Sequence, residues 1–68
     1  MNQTNTESKS EMYMKVDEVC KLLEVSPSYA YRVIKELNKE LSEKGFWIIS
    51  GKVSRKYFNE RFYGGKVG

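Results

Sequence analysis

Histidine is absent from this chain, and cysteine and proline occur once each in 68 residues. Without histidine there is no Ser-His or Cys-His pair for nucleophilic catalysis, and with one cysteine beside it a zinc site is out of reach. A lone Cys20 closes no intramolecular disulfide, so it reads as a small core residue in a reducing cytoplasm. No apolar run is long enough to cross a membrane, and the polar N-terminus lacks the apolar core of a signal peptide. The expected setting is therefore soluble and cytoplasmic, with no membrane partner. No Gly-rich phosphate loop follows a strand, and the adjacent acids Asp17 and Glu18 point in different directions on a helix. These absences argue against an enzyme: no catalytic residue, no metal ligand and no cofactor is expected.

What remains is one small domain, in which the core must be used efficiently. Residues 1–11, MNQTNTESKSE, hold no apolar side chain after Met1 and read as a disordered polar tail. The folded unit is expected over 12–64, with 65–68 as a C-terminal tail. Within it, Val16, Val19, Cys20 and Leu23 fall at i, i+3, i+4 and i+7, the spacing of one helical face. Ala30, Val33, Ile34, Leu37 and Leu41 repeat that rhythm after a break too short for anything but a sharp turn, Glu24-Val25-Ser26. Small residues, Cys20 and Ala30, stand where the two backbones must approach. Two helices joined so closely are the outline of a helix-turn-helix.

Local signals set the boundaries. Met12-Tyr13-Met14 is a candidate short strand, and Asp17 and Glu18 place acid in the first turn of the first helix, where the dipole favours it. Ser26 is a natural cap for the second helix and Pro27 suits its first position. That helix is expected to run to about Glu43, supported by the i, i+4 pairs Arg32/Glu36, Lys39/Glu43 and Glu40/Lys44, and to end at Gly45. The period then changes. Phe46-Trp47-Ile48-Ile49 is rich in β-formers, Ser50-Gly51 is a turn signal, and Lys52-Val53 can return antiparallel as a hairpin. Ser54 can cap a last helix from Arg55 to about Tyr63, with Phe58 and Phe62 on one face, Tyr57 beside them and Gly64-Gly65 as the stop. The fold class is α+β, mainly α: a winged helix-turn-helix with a two-helix motif, a β-hairpin wing and a C-terminal helix. Trp47 and the Phe58/Phe62 pair are expected to pack in the core or on the hairpin.

The charge distribution supplies the functional reading. Ser28, Arg32, Lys35 and Lys39 cluster opposite the apolar stripe of the second helix, with Tyr29 and Tyr31 on its flanks. A hydroxyl, guanidinium and ammonium face suits a DNA major groove, where Arg pairs with guanine and Lys with phosphate. Such a stripe also serves as an ordinary solvated face. Its place in the N-terminal half of the second helix, the part that enters the groove in such motifs, favours DNA. Tyr29 and Tyr31 are balanced between packing and contact. From Ser50 onward the bases are Lys52, Arg55, Lys56, Arg61 and Lys66 against one acid, Glu60, so the net charge of +3 is concentrated there. Lys52 sits at the hairpin tip. Arg55 and Lys56 oppose the dipole at the start of the last helix, a conflict that a bound phosphate would reverse.

The string VDEVCKLLEVSPSYAYRVIKELN, a short hairpin and then GKVSRKYFNERFYG together resemble the small winged-helix proteins related to the MerR DNA-binding domain. The likeness is to excisionases and excisionase-like regulators of phages and integrative mobile elements in particular, and it covers residues 14 to 63. The resemblance implies a non-catalytic protein that binds double-stranded DNA at attachment sites, cooperatively and with bending, and biases an integrase or recombinase partner toward excision. It implies a nucleoid-associated bacterial protein, with self-association on DNA among the candidate interactions. Transcriptional regulation on the same fold is the alternative role. The DNA-binding candidates are Ser26, Ser28, Tyr29, Tyr31, Arg32, Lys35 and Lys39 on the recognition helix, and Ser50, Lys52, Arg55 and Lys56 on the wing and the helix start behind it. MerR regulators proper add a coiled coil and an effector domain for which this chain has no room, so no small-molecule effector is expected. Glu24 departs from the pattern, since glycine often stands in such turns; a side chain there implies strain or a different turn. The rival from another class is a protein-interaction module in which the second helix and Trp47 dock a partner.

Overall fold

A computed structural model describes residues 12–63. The tails expected at 1–11 and 65–68, and the Gly64-Gly65 stop, lie outside them. The order is strand β1 (Tyr13–Lys15), helix α1 (Val16–Leu23), helix α2 (Pro27–Glu43), strand β2 (Lys52–Ser54) and helix α3 (Arg55–Tyr63). Three helices and a two-stranded antiparallel sheet make a mainly helical α+β arrangement compatible with a winged helix. The core joins every element: Met14, Val19, Ala30, Ile34, Leu37, Leu41, Val53, Tyr57 and Phe58 are buried, with Val16, Cys20, Leu23, Val25 and Val33 packed at its edge.

The helix ends follow from local chemistry. Ser26 is extended and its Oγ accepts the Tyr29 N–H at 3.2 Å, while Pro27 opens α2. At the other end Gly45, at φ 93°, lets the chain reverse. Its N–H bonds to the Ser42 carbonyl, and the Phe46 N–H to the Leu41 carbonyl, both at 3.0 Å. That paired arrangement is a Schellman motif. Ser54 Oγ accepts the Tyr57 N–H at 3.1 Å and caps α3. Ala30 is fully buried, as a residue at a close helix approach must be.

The sheet departs from the local hairpin. Lys52–Ser54 pairs with Tyr13–Lys15, in the register Tyr13 to Ser54, Met14 to Val53 and Lys15 to Lys52, and the 46–49 segment carries no strand. Two facts explain the exchange. The Schellman turn commits Phe46 to the end of α2, and Met14 and Val53, paired across the strands, both enter the core, which Phe46 and Trp47 do not. The Ser50-Gly51 turn itself survives. Lys52 N–H reaches the Ile49 carbonyl at 3.1 Å and Gly51 takes φ 81°. Trp47, expected to pack, is 93% exposed; Phe58 is buried and stacks on Phe62 with ring centroids 4.5 Å apart.

Glu24 occupies the left-handed region, φ 58° and ψ 51°, at the end of α1. A side chain at such a position costs roughly 1–2 kcal/mol, part of which glycine returns through its greater freedom in the unfolded chain. Glu24→Gly should therefore stabilise the domain by about 0.5–1 kcal/mol and raise the melting temperature by a few degrees in a circular dichroism melt.

Candidate nucleic-acid interface

Ser28, Arg32, Lys35 and Lys39 repeat along one side of α2 and are exposed, as are Tyr29 and Tyr31 at 51% and 58%. Across from them runs the 48–51 turn. Ser28, Tyr31, Arg32, Lys35, Lys39 and Ser50 line the open groove between the two, with Glu36 and Glu43 also on its wall. None of the three cations makes an ion pair among the described residues. The i, i+4 pairs expected along α2 are not closed there either, because an exposed pair of long side chains is worth only a few tenths of a kcal/mol.

The remaining candidates divide by position. Ser26 serves as the α2 cap and Tyr29 stands beside it, outside the groove lining. Lys52 is on β2, half-buried, directly opposite Lys15, and not at the tip of a hairpin. Like charges facing each other across a ladder repel, a cost that an anion held between them would reverse. Lys15 was not legible as a candidate, since its neighbour depends on a strand pairing that local sequence does not reveal.

Arg55 has an internal role. Its Nη1 and Nη2 donate to Glu18 Oε2 and Oε1 at 2.9 and 3.1 Å, and Nη2 also approaches the Tyr13 carbonyl at 3.3 Å. The positive charge that opposed the α3 dipole is thus matched by a carboxylate from α1, and Glu18 is more than ordinary first-turn acid. Lys56 is exposed and lies on the other side of the loop 46–51, which stands where the wing was expected. There it borders a cavity of about 460 Å³ with Met12, Phe46, Trp47 and Ile48. Phe46 and Met12 are also well exposed, so this side of the loop is an apolar surface.

A polar cluster sets α3 against α2. Arg61 Nε and Nη2 donate to the two oxygens of Glu40 at 2.7 and 2.8 Å, and Tyr57 Oη donates to Oε1 at 2.7 Å. Lys44, expected to pair with Glu40, instead donates to Tyr57 Oη at 3.3 Å and lies 4.8 Å from the centre of its ring. The hydrogen bonds from Arg61 and then Tyr57, helped by the charges of Arg61 and Lys44, hold the Glu40 carboxyl down at about 2 against a partial burial that opposes them. The Arg61 guanidinium is raised in return.

A carboxylate lowered in the folded state contributes stability above its ordinary value of 4.5, and loses that contribution as pH falls through the folded value near 2. The melting temperature should thus decline on acidification across that window. Glu40→Gln should start lower at neutral pH and decline less, as thermal melts at stepped pH would register.

No family model matches the chain, and no solved structure does. Among curated proteins, the ICEBs1 excisionase of Bacillus subtilis (strain 168) is 35% identical over 48 residues, which is 71% of this chain and 75% of that relative.

Proposed function

The chain belongs to the excisionase family represented by the ICEBs1 excisionase, and on that premise we propose that it binds duplex DNA as a recombination directionality factor of a mobile element. The observation that carries the reading is the groove. A stripe of one hydroxyl and three cations without ion-pair partners among the described residues faces a glycine-containing turn across an open channel. The fold builds this face on one 17-residue helix, which fixes the spacing of the backbone positions that carry the donors.

In this reading α2 enters the major groove, with Arg32 and Lys35 nearest the bases and Ser28 and Tyr31 bordering them. Ser50, Lys52 and the Lys15 that strand pairing adds hold the backbone, while Arg55 fixes the helix behind them through Glu18 and Lys56, which borders the apolar cavity instead of the groove, takes no part. The work is architectural. Binding arranges an attachment site for a partner integrase, and no bond is made or broken by this chain.

A second reading concerns the opposite side of the wing. Trp47 at 93% exposure, beside Phe46 and Met12, gives an apolar surface of the kind that docks protein. We assign it to protein contact during assembly on DNA. Trp47→Ser should leave binding to an isolated duplex unchanged and weaken capture of the integrase encoded on the same element. Equal capture by both proteins would remove this assignment.

Affinity for duplex should fall roughly a hundredfold between about 50 and 200 mM salt if about four phosphates are neutralised. A flat response would remove the electrostatic basis of the reading. On a site recovered by in vitro selection, Arg32→Ala should cost about 1–3 kcal/mol and compress the ratio over random duplex. Lys52→Ala should weaken both by nearly the same factor and make the salt slope shallower by about one unit. Competition titrations at fixed salt separate the two. Equal losses on selected and random DNA for Arg32→Ala would move base reading away from α2.

A further inference from the structure

Asn38 is the one buried polar side chain of the described core, 6% exposed, and sits where helical spacing places an apolar residue, four after Ile34 and three before Leu41. Asparagine is a poor helix former, and a buried amide is costly unless its hydrogen bonds are made. Here the amide's donor bonds are made to the loop before β2. Nδ2 donates to the Ile49 carbonyl at 3.2 Å and to the Lys52 carbonyl at 2.8 Å. Those two residues are the ends of the turn that Lys52 N–H and the Ile49 carbonyl close on themselves. One amide on α2 therefore grips both feet of the turn that carries Ser50 and Gly51.

The grip has a direction. Asn38 borders both the groove lined by Arg32 and Lys35 and the apolar cavity beside Trp47, so it stands at the root of the wing between its two sides. Lys35 is one helical turn before it. The 46–49 segment has no strand partner to hold it, which leaves this amide and the short β1–β2 ladder to fix where the turn lies.

We propose that Asn38 is a positioning residue for nucleic-acid recognition: it sets the 50–52 turn at a fixed distance and angle from Arg32 and Lys35, so that helix and wing engage one duplex together. The proposal rests on the DNA-binding reading above. It predicts coupling between a residue that touches no DNA and one that does.

The test is a double-mutant cycle on the full chain with Asn38→Leu and Lys52→Ala, read as the salt dependence of binding to a mixed-sequence duplex. Leucine keeps the same number of side-chain heavy atoms, favours the helix and removes the amide donor, and a cooperative circular dichroism melt verifies that the bulkier side chain is accommodated. If it does not fold, Asn38→Ala carries the same cycle. Each single variant should make the salt slope shallower by about one unit, and the double variant should go no further than either. Losses that multiply in the double variant would reduce Asn38 to a structural residue and overturn the proposal. So would a Lys52→Ala slope unchanged from that of the parent. A parent without salt-dependent duplex binding would overturn the DNA reading itself and this inference with it, whereas multiplied losses in a parent that binds overturn this inference alone.

Discussion

The pairing of Tyr13–Lys15 with Lys52–Ser54 is the constraint on which the remaining structure depends. Three residues per strand would not hold as an isolated ribbon, and joining them closes a loop of roughly forty residues, with the entropy loss that entails. The ladder persists because its inward pair, Met14 and Val53, completes the core between the helices. Arg55 extends the tie: its N–H bonds to the Met12 carbonyl at 2.8 Å, and its guanidinium reaches Glu18 at the start of α1. One seam thus joins both ends of the described chain, directs α3 and decides which residues surround the wing.

Around that seam, polar ties do what a larger domain would leave to apolar area. Asn38 holds the wing to α2, Arg55 holds the start of α3 to α1, and Glu40 with Tyr57 and Arg61 holds the body of α3 to α2. Each joins segments distant in sequence. The two ion pairs among them, Arg55 with Glu18 and Arg61 with Glu40, are partly exposed and give orientation more than energy. Recognition depends on orientation, since donors on two elements must meet one rigid partner.

The helices were legible in the sequence because their information is local. Ser26-Pro27, Ser54 and Gly45 mark ends through bonds spanning a few residues, and the apolar rhythm of Ala30, Ile34, Leu37 and Leu41 names its own buried face. The groove-lining stripe of α2 was legible for the same reason. The strand pairing was not, because Phe46 to Ile49 has the composition of a strand and lies beside a good turn, while the true partner is far away in the chain. That single non-local fact hid Lys15 as a neighbour of Lys52, left Trp47 assigned to packing and gave Asn38 no role. Glu18 and Glu40 were read through their nearest helical neighbours, whereas their partners come from α3.

Trp47 is the sole indole in the protein, and it projects almost wholly into solvent from a folded loop. Its emission should therefore lie near that of the unfolded chain, making intrinsic fluorescence a poor gauge of denaturation. The same exposure makes the indole a natural optical probe of contact. Any surface that covers it strips water from the ring and should shift its emission to the blue, while the backbone signal in the far ultraviolet stays unchanged.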